Sequence, residues 1–205
     1  MNALRKPMMA QRVVFLDRDG VLNRAFPERG TTRPPMTLDE LELLPGVPAA
    51  LERLRAAGFA LVVVTNQPDV ARGKQTRATV EAINAKMCAE LPLTDVLACY
   101  HDTADRCDCR KPKPGLLLAA AAKWELDLST AFLIGDRWSD VAAAHAAGCR
   151  GVLIDTPFSL PERCSPDHTA VDITAAVDWV LKTAAAEAPR PPDSGYGFTP
   201  KGSLG

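Results

Sequence analysis

Two carboxylates one residue apart, Asp17 and Asp19, follow the apolar run Val13 to Leu16 and precede Gly20. The run has the uninterrupted, β-branched character of a strand buried on both faces. A strand that ends in Asp-x-Asp-Gly sets one carboxylate at the carboxyl edge of a sheet and turns the chain sharply behind it. In open α/β sheets that edge is where ligands bind. Two close carboxylates repel each other unless a cation lies between them, and oxygen ligands suit Mg²⁺. The ordinary alternative for a single Asp-x-Asp is a polar, solvated turn.

Three more polar groups fall at strand ends or helix entries, in order. A second apolar run, Phe59 to Val64, ends in Thr65-Asn66. Arg110-Lys111-Pro112 precedes a helical stretch, and Ala131 to Ile134 ends in Gly135-Asp136, with Asp140 four residues on. This order resembles the haloacid dehalogenase-like (HAD) phosphatases, whose pattern is an Asp-x-Asp pair, a Thr or Ser, a Lys, and Gly-Asp-x-x-x-Asp. The resemblance implies that Asp17 attacks phosphorus and that Asp19 protonates the leaving alkoxide, then takes a proton from the hydrolytic water. It implies that Thr65 and Lys111 steady the phosphoryl charge. Mg²⁺ is expected on Asp17, the main-chain carbonyl of Asp19, and Asp136. Asp140 has two readings, a ligand-orienting group or a helix N-terminal charge favoured by the macrodipole.

A second constellation reads Cys99-Tyr-His101, five residues, then Cys107-Asp-Cys109. Three thiols and one imidazole at this spacing fit a tetrahedral Cys₃His zinc site, closed and therefore structural. The alternatives are a redox pair or unrelated buried thiols. Six cysteines in a chain whose first residues lack the apolar middle of a secretion signal do not read as disulfides. The zinc loop is expected to pin Arg110 and Lys111. Cys88, Cys149 and Cys164 read as packing residues, and His168 as a loop residue.

The zinc loop followed by Cys-Arg-Lys-Pro narrows the resemblance to two branches, the D-glycero-D-manno-heptose-1,7-bisphosphate 7-phosphatases and the histidinol-phosphate phosphatases. Val62-Val-Val-Thr-Asn-Gln67 and Ala71-Arg-Gly-Lys74 are more similar to the heptose branch. That likeness implies hydrolysis of the C7 phosphate of the heptose bisphosphate, with histidinol phosphate or another small sugar phosphate as the alternative. Substrate contacts carried over by motif are Ala25, Phe26, Pro27, Glu28, Thr65, Asn66, Gln67, Arg110, Lys111 and Arg137. Arg72 and Lys74 read either as contacts to a second substrate anion or as exposed helix-entry charges.

These groups need a scaffold, and the chain alternates strand and helix. Helices are expected at 47–57, 76–90, 115–124, 139–147 and 172–187, with a strand within 93–100 and another at 151–155. Such alternation implies an α/β fold, a doubly wound Rossmann-like parallel sheet with helices on both faces. Residues 1–12 read as a flexible arm, 13–188 as the phosphatase domain and 189–205 as a disordered tail. The 45 residues from Asn66 to Lys111 leave no room for a large cap domain, whereas 20–45 leave room for a flap. With 47% apolar and 24% charged residues and a formal charge of −1, nothing favours nucleic acid or a membrane as partner. The expectation is a cytoplasmic monomer acting on a small sugar phosphate.

Overall fold

The computed structural model describes residues 11–160 and 163–187. The arm and tail expected at 1–12 and 189–205 fall outside these residues, except Gln11 and Arg12. Those two are tied in: Gln11 bridges to Leu126, and the Arg12 carbonyl accepts from the Ala60 amide at 2.9 Å.

Six strands form one parallel sheet. They are β1 (Val13–Leu16), β4 (Ala60–Asn66), β5 (Asp95–Cys99), β6 (Phe132–Gly135), β7 (Arg150–Ile154) and β8 (His168–Ala170). Their order across the sheet is β5-β4-β1-β6-β7-β8, and every neighbouring pair is parallel. The residues of β1, β4 and β6 are buried on both sides, which is why they read as apolar runs and not as alternation.

The two faces divide the sequence by parity. Val14, Leu16, Leu61 and Val63 pack under α1 (Val47–Ala56), α2 (Arg77–Glu90) and α5 (Ile173–Glu187). Val13, Phe15, Val62 and Val64 pack under α3 (Gly115–Trp124) and α4 (Trp138–Ala146). Helix starts follow local chemistry. Thr76 caps α2 by accepting from the Thr79 amide, and Pro48 stands in the first turn of α1.

From β1 the chain builds outward to β4 and β5, then crosses to the other side through β6. The order therefore reverses beside β1, at the switch point where doubly wound sheets bind ligands. Because all strands run the same way, the carboxyl ends of β1, β4 and β6 lie side by side. The Asp17 amide donates to the Ile134 carbonyl at 2.9 Å, joining the first and last motifs through backbone.

The flap is a hairpin, β2 (Phe26–Glu28) against β3 (Thr31–Arg33), turning at Arg29 and Gly30 with φ of 46° and 79°. Its far arm is anchored by the Arg33 guanidinium, which donates to both oxygens of Glu40 at 2.7 and 3.0 Å. Gln75 Nε2 also donates to the Pro35 carbonyl at 2.9 Å. Between Asn66 and Lys111 lie only α2, β5 and a 3₁₀ turn at Thr103–Asp105, so no large cap intervenes. His168 belongs to β8 rather than a loop, its ring stacked on Trp179 with centroids 4.9 Å apart. Among the other thiols Cys149 is buried, whereas Cys88 is exposed. No helix among the described residues is long and apolar enough to cross a membrane.

Candidate active site

Asp17, Thr65, Lys111, Asp136 and Asp140 meet at the carboxyl edge of the central strands, in a cleft of about 460 Å³. Lys111 is buried at its centre. Its Nζ donates to the Val64 carbonyl at 2.7 Å and forms ion pairs with Asp140 Oδ1 at 2.6 Å and Asp17 Oδ1 at 2.9 Å. Burial alone would lower the proton affinity of this lysine, but Asp140 and Asp17 outweigh it and hold the pKa above the ordinary value.

Burial pushes the Asp17 carboxyl up to about 6, against the pull of Lys111 and with a further push from Asp140. Burial, then Asp17 and Asp140, hold Asp136 well above the ordinary carboxylate range. Ligand oxygens of Asp17, Asp136 and Asp140 all lie within 4.8 Å of one another. Asp136 Oδ1 is buried with no hydrogen-bond partner among the described residues. Three crowded carboxylates, one orphaned oxygen and a single lysine fit a hard divalent cation with oxygen ligands, Mg²⁺ above all. Two glycines are required here. A Cβ at Gly20 would overlap the Asp136 carboxylate, and one at Gly135 would overlap Asp140.

Asp140 is more than a solvated helix charge. It is buried, pairs with Lys111 through Oδ1, and accepts from the Arg137 amide through Oδ2 at 3.0 Å. Asn66 faces the other way and brackets the Lys111 backbone. Its Oδ1 accepts from the Lys111 amide and its Nδ2 donates to the Lys111 carbonyl, both at 3.1 Å. The following Lys111-Pro112 peptide is cis.

The cysteine cluster assembles behind this lysine. Sγ of Cys99 lies 3.2 Å from Cys109, 3.7 Å from Cys107 and 3.6 Å from His101 Nδ1. Cys107 and Cys109 are 3.5 Å apart, and His101 Nδ1 is 3.3 Å from Cys109. A zinc tetrahedron with bonds of about 2.3 Å to sulfur has edges of about 3.8 Å; the five edges measured here are of that size. Burial and the two neighbouring thiols push Cys109 up to about 12. A divalent cation at the centre would relieve that crowding. No disulfide joins these residues.

Several expected substrate contacts lie elsewhere. Ala25, Phe26, Pro27 and Glu28 do not line the catalytic cleft; Thr31, Thr32, Arg33 and Pro34 from the second hairpin arm do. The reason is local: Phe26 is held between the guanidinium groups of Arg24 and Arg33, at 5.4 and 4.5 Å, while β3 turns toward the sheet. Ala25 and Pro27 line a more apolar cavity that adjoins the cleft and shares Thr32 and Asp136 with it. Gln67 is buried and absent from the cleft lining; its Nε2 donates to Asp19 Oδ2 at 2.7 Å and Thr65 Oγ1 at 3.0 Å. Arg110 and Arg137 do line the cleft. Arg137 donates to Thr32 Oγ1 at 2.6 Å and to the Phe158 carbonyl at 3.1 Å, linking the hairpin to the loop after β7. Arg72 reaches the cleft, but its fork is placed on Asp102 at 2.7 and 3.0 Å. That contact holds the Asp102 carboxyl down at about 2. Lys74 is exposed and does not line the cleft.

The HAD-hydrolase-like family model matches residues 108–177. A D-glycero-D-manno-heptose-1,7-bisphosphate 7-phosphatase of Thermosynechococcus vestitus is 35% identical over 198 residues, covering 84% of this chain and 96% of that protein. The chain belongs to that family of HAD-like phosphatases. The enzyme bearing the β-anomer name in Rhodopseudomonas palustris is 40% identical over 162 residues, 73% of this chain and 84% of its own. Among solved structures, the D,D-heptose 1,7-bisphosphate phosphatase of B. bronchiseptica, complexed with magnesium and phosphate, superposes with a TM-score of 0.73. It is 30% identical, covering 84% of this chain and 99% of that one. A putative HAD-like phosphatase from Mesorhizobium loti gives 0.66 at 26% identity, covering 85% and 87%. This chain is therefore a phosphoric monoester hydrolase of the HAD type. Sequence reasoning missed two members of its site, the Thr31–Pro34 arm and buried Arg18. A three-residue strand carries no usable periodicity, and a lone Arg between two Asp reads as a surface charge.

Proposed function

We propose that this phosphatase removes the C7 phosphate of D-glycero-D-manno-heptose 1,7-bisphosphate through an aspartyl-phosphate on Asp17. The observation that carries the reading is the contact of Asp17 with buried Lys111, at 2.9 Å, beside Asp136 and Asp140. Lys111 offsets the charge of the nucleophile as the anionic phosphate approaches.

An Asp17 oxygen attacks phosphorus, and the P–O bond to C7 breaks with its electron pair going to the sugar oxygen. Asp19 gives that oxygen its proton. Water then attacks the acyl phosphate and yields a proton to Asp19. The P–O bond to Asp17 breaks, and the carboxylate is restored with release of inorganic phosphate. Thr65 and the backbone around Asn66 donate to the phosphoryl oxygens. Asp17, Asp136 and the main-chain carbonyl of Asp19 would hold Mg²⁺, which would supply Lewis-acid charge neutralisation when bound. Zinc on Cys99, His101, Cys107 and Cys109 is structural in this reading and fixes the loop that delivers Arg110 and Lys111.

Substrate choice rests on the cleft wall. Thr31, Thr32, Arg110 and Arg137 line the cleft, and in this reading they face the leaving sugar. The Arg72 fork is engaged by Asp102, so in this reading Arg110, whose guanidinium approaches the His101 carbonyl at 3.4 Å, serves a second substrate anion. The test is kinetic. Heptose 1,7-bisphosphate should exceed histidinol phosphate in kcat/KM by about 10² or more, a few kcal/mol of transition-state binding. Equal efficiency on histidinol phosphate would move the assignment to that substrate.

A further inference from the structure

A carboxylate offers about four lone-pair sites, and all four on Asp19 are taken by donors of this chain. Arg18 Nε and Nη2 reach Oδ1 and Oδ2 at 3.2 and 3.1 Å. Asn23 Nδ2 reaches Oδ1 at 2.9 Å, and Gln67 Nε2 reaches Oδ2 at 2.7 Å. Arg18 is 0% and Gln67 1% exposed, whereas the Asp19 side chain keeps 17% exposure toward the cleft.

A wholly buried guanidinium is rare unless paired. Here its fork is held from behind, since Arg18 Nη1 donates to Asn84 Oδ1 on α2 at 2.8 Å. The Gln67 amide joins two functional groups by giving its hydrogens to Asp19 and Thr65. Its own Oε1 is buried with no hydrogen-bond partner among the described residues.

We infer that Arg18 and Gln67 are positioning residues that aim the Asp19 carboxylate at the leaving oxygen, and that Gln67 does not contact substrate. This rests on the reading of Asp19 as proton donor. To carry the proton, Asp19 must give up one of its four donors. The two amides, Gln67 and Asn23, are the donors that can yield, because the amide oxygen of each is buried with no hydrogen-bond partner among the described residues, while the Arg18 fork stays bidentate and fixed by Asn84. The Gln67 link to Thr65 keeps donor and phosphoryl-binding hydroxyl in one register.

Leaving groups separate this role from a structural one. A sugar alkoxide needs its proton as the P–O bond breaks, whereas 4-nitrophenolate leaves with little help. The constant kcat/KM reports steps up to release of the alcohol. Gln67→Met should lower kcat/KM for heptose 1,7-bisphosphate about 10-fold or more and for 4-nitrophenyl phosphate less than about 3-fold, because misaiming a general acid forfeits part of its 10²–10⁴-fold effect. Gln67→Asn, whose amide falls short of Asp19, and Arg18→Lys, which loses the fork, should show the same split. If both substrates decline in parallel in these variants, or neither does, the inference is wrong. Asp19→Asn is the control. An equal loss on both substrates there would overturn the proton-donor reading itself, whereas a split there with none in the Gln67 and Arg18 variants overturns only the positioning roles.

Discussion

The side-chain amide of Asn66 brackets the backbone of Lys111, accepting from its N–H and donating to its carbonyl at 3.1 Å each. Forty-five residues apart in sequence, the two are joined as neighbouring strands would be. The bond pair converts the end of β4 into a fixed socket for a lysine that arrives on a loop. Asn66→Ala should therefore lower kcat about 10-fold or more with little change in bound zinc, because displacement of a charged group by about 1 Å is costly. Steady-state kinetics beside elemental analysis would check this, and unchanged kcat would remove Asn66 from the positioning of Lys111.

The zinc cluster predicts a different coupling. Purified protein should hold about one zinc per chain, and Cys107→Ser should lower zinc content, melting temperature and kcat together, since binding energy of such sites is folding energy. Elemental analysis finding no zinc in protein prepared under reducing conditions without chelator would contradict the assignment.

Arg137 should act on the hairpin as well as on substrate. Removing its bonds to Thr32 and the Phe158 carbonyl by Arg137→Ala should speed tryptic cleavage after exposed Arg29 and raise KM several-fold. Cleavage at the wild-type rate would show that other contacts hold the hairpin.

The sign of the Asp17 effect can be worked out. Its carboxyl is pushed up to about 6 in the folded protein, against about 3.9 in an unfolded chain. The folded state thus binds this proton more tightly, and ionised Asp17 costs stability above about pH 6. In chelated protein Asp17→Asn should raise the melting temperature at pH 7.5, with the gain fading as pH falls toward about 4. Mg²⁺ should stabilise the wild type more than the variant. Thermal scans across pH with and without Mg²⁺ measure both, and a variant less stable at every pH would contradict the electrostatic account.

The central strands, the five helices and the four strand-end motifs were legible in the sequence because burial on both faces and helix caps leave strong local marks. The β4 motif, Thr65-Asn66, and Lys111 came together as their spacing implied. Arg18 and the second hairpin arm were not legible. Whether Thr31–Arg33 or Phe26–Glu28 faces the cleft depends on how the hairpin docks, through Arg33–Glu40 and Arg137–Thr32, and no three-residue strand encodes its own docking. The motif assigns Gln67 to substrate, and no local pattern announces that its side-chain amide donates to Asp19 and Thr65. Arg72 has the look of a substrate cation in sequence, but Asp102, thirty residues away, takes its fork.

The most direct measurement is a ³¹P NMR time course of wild-type enzyme with Mg²⁺ and heptose 1,7-bisphosphate, run beside Asp17→Asn. The C7 phosphate signal should disappear as inorganic phosphate grows in, with the C1 phosphate intact and the variant inert. Loss of the C1 signal first, or turnover by Asp17→Asn, would contradict the account.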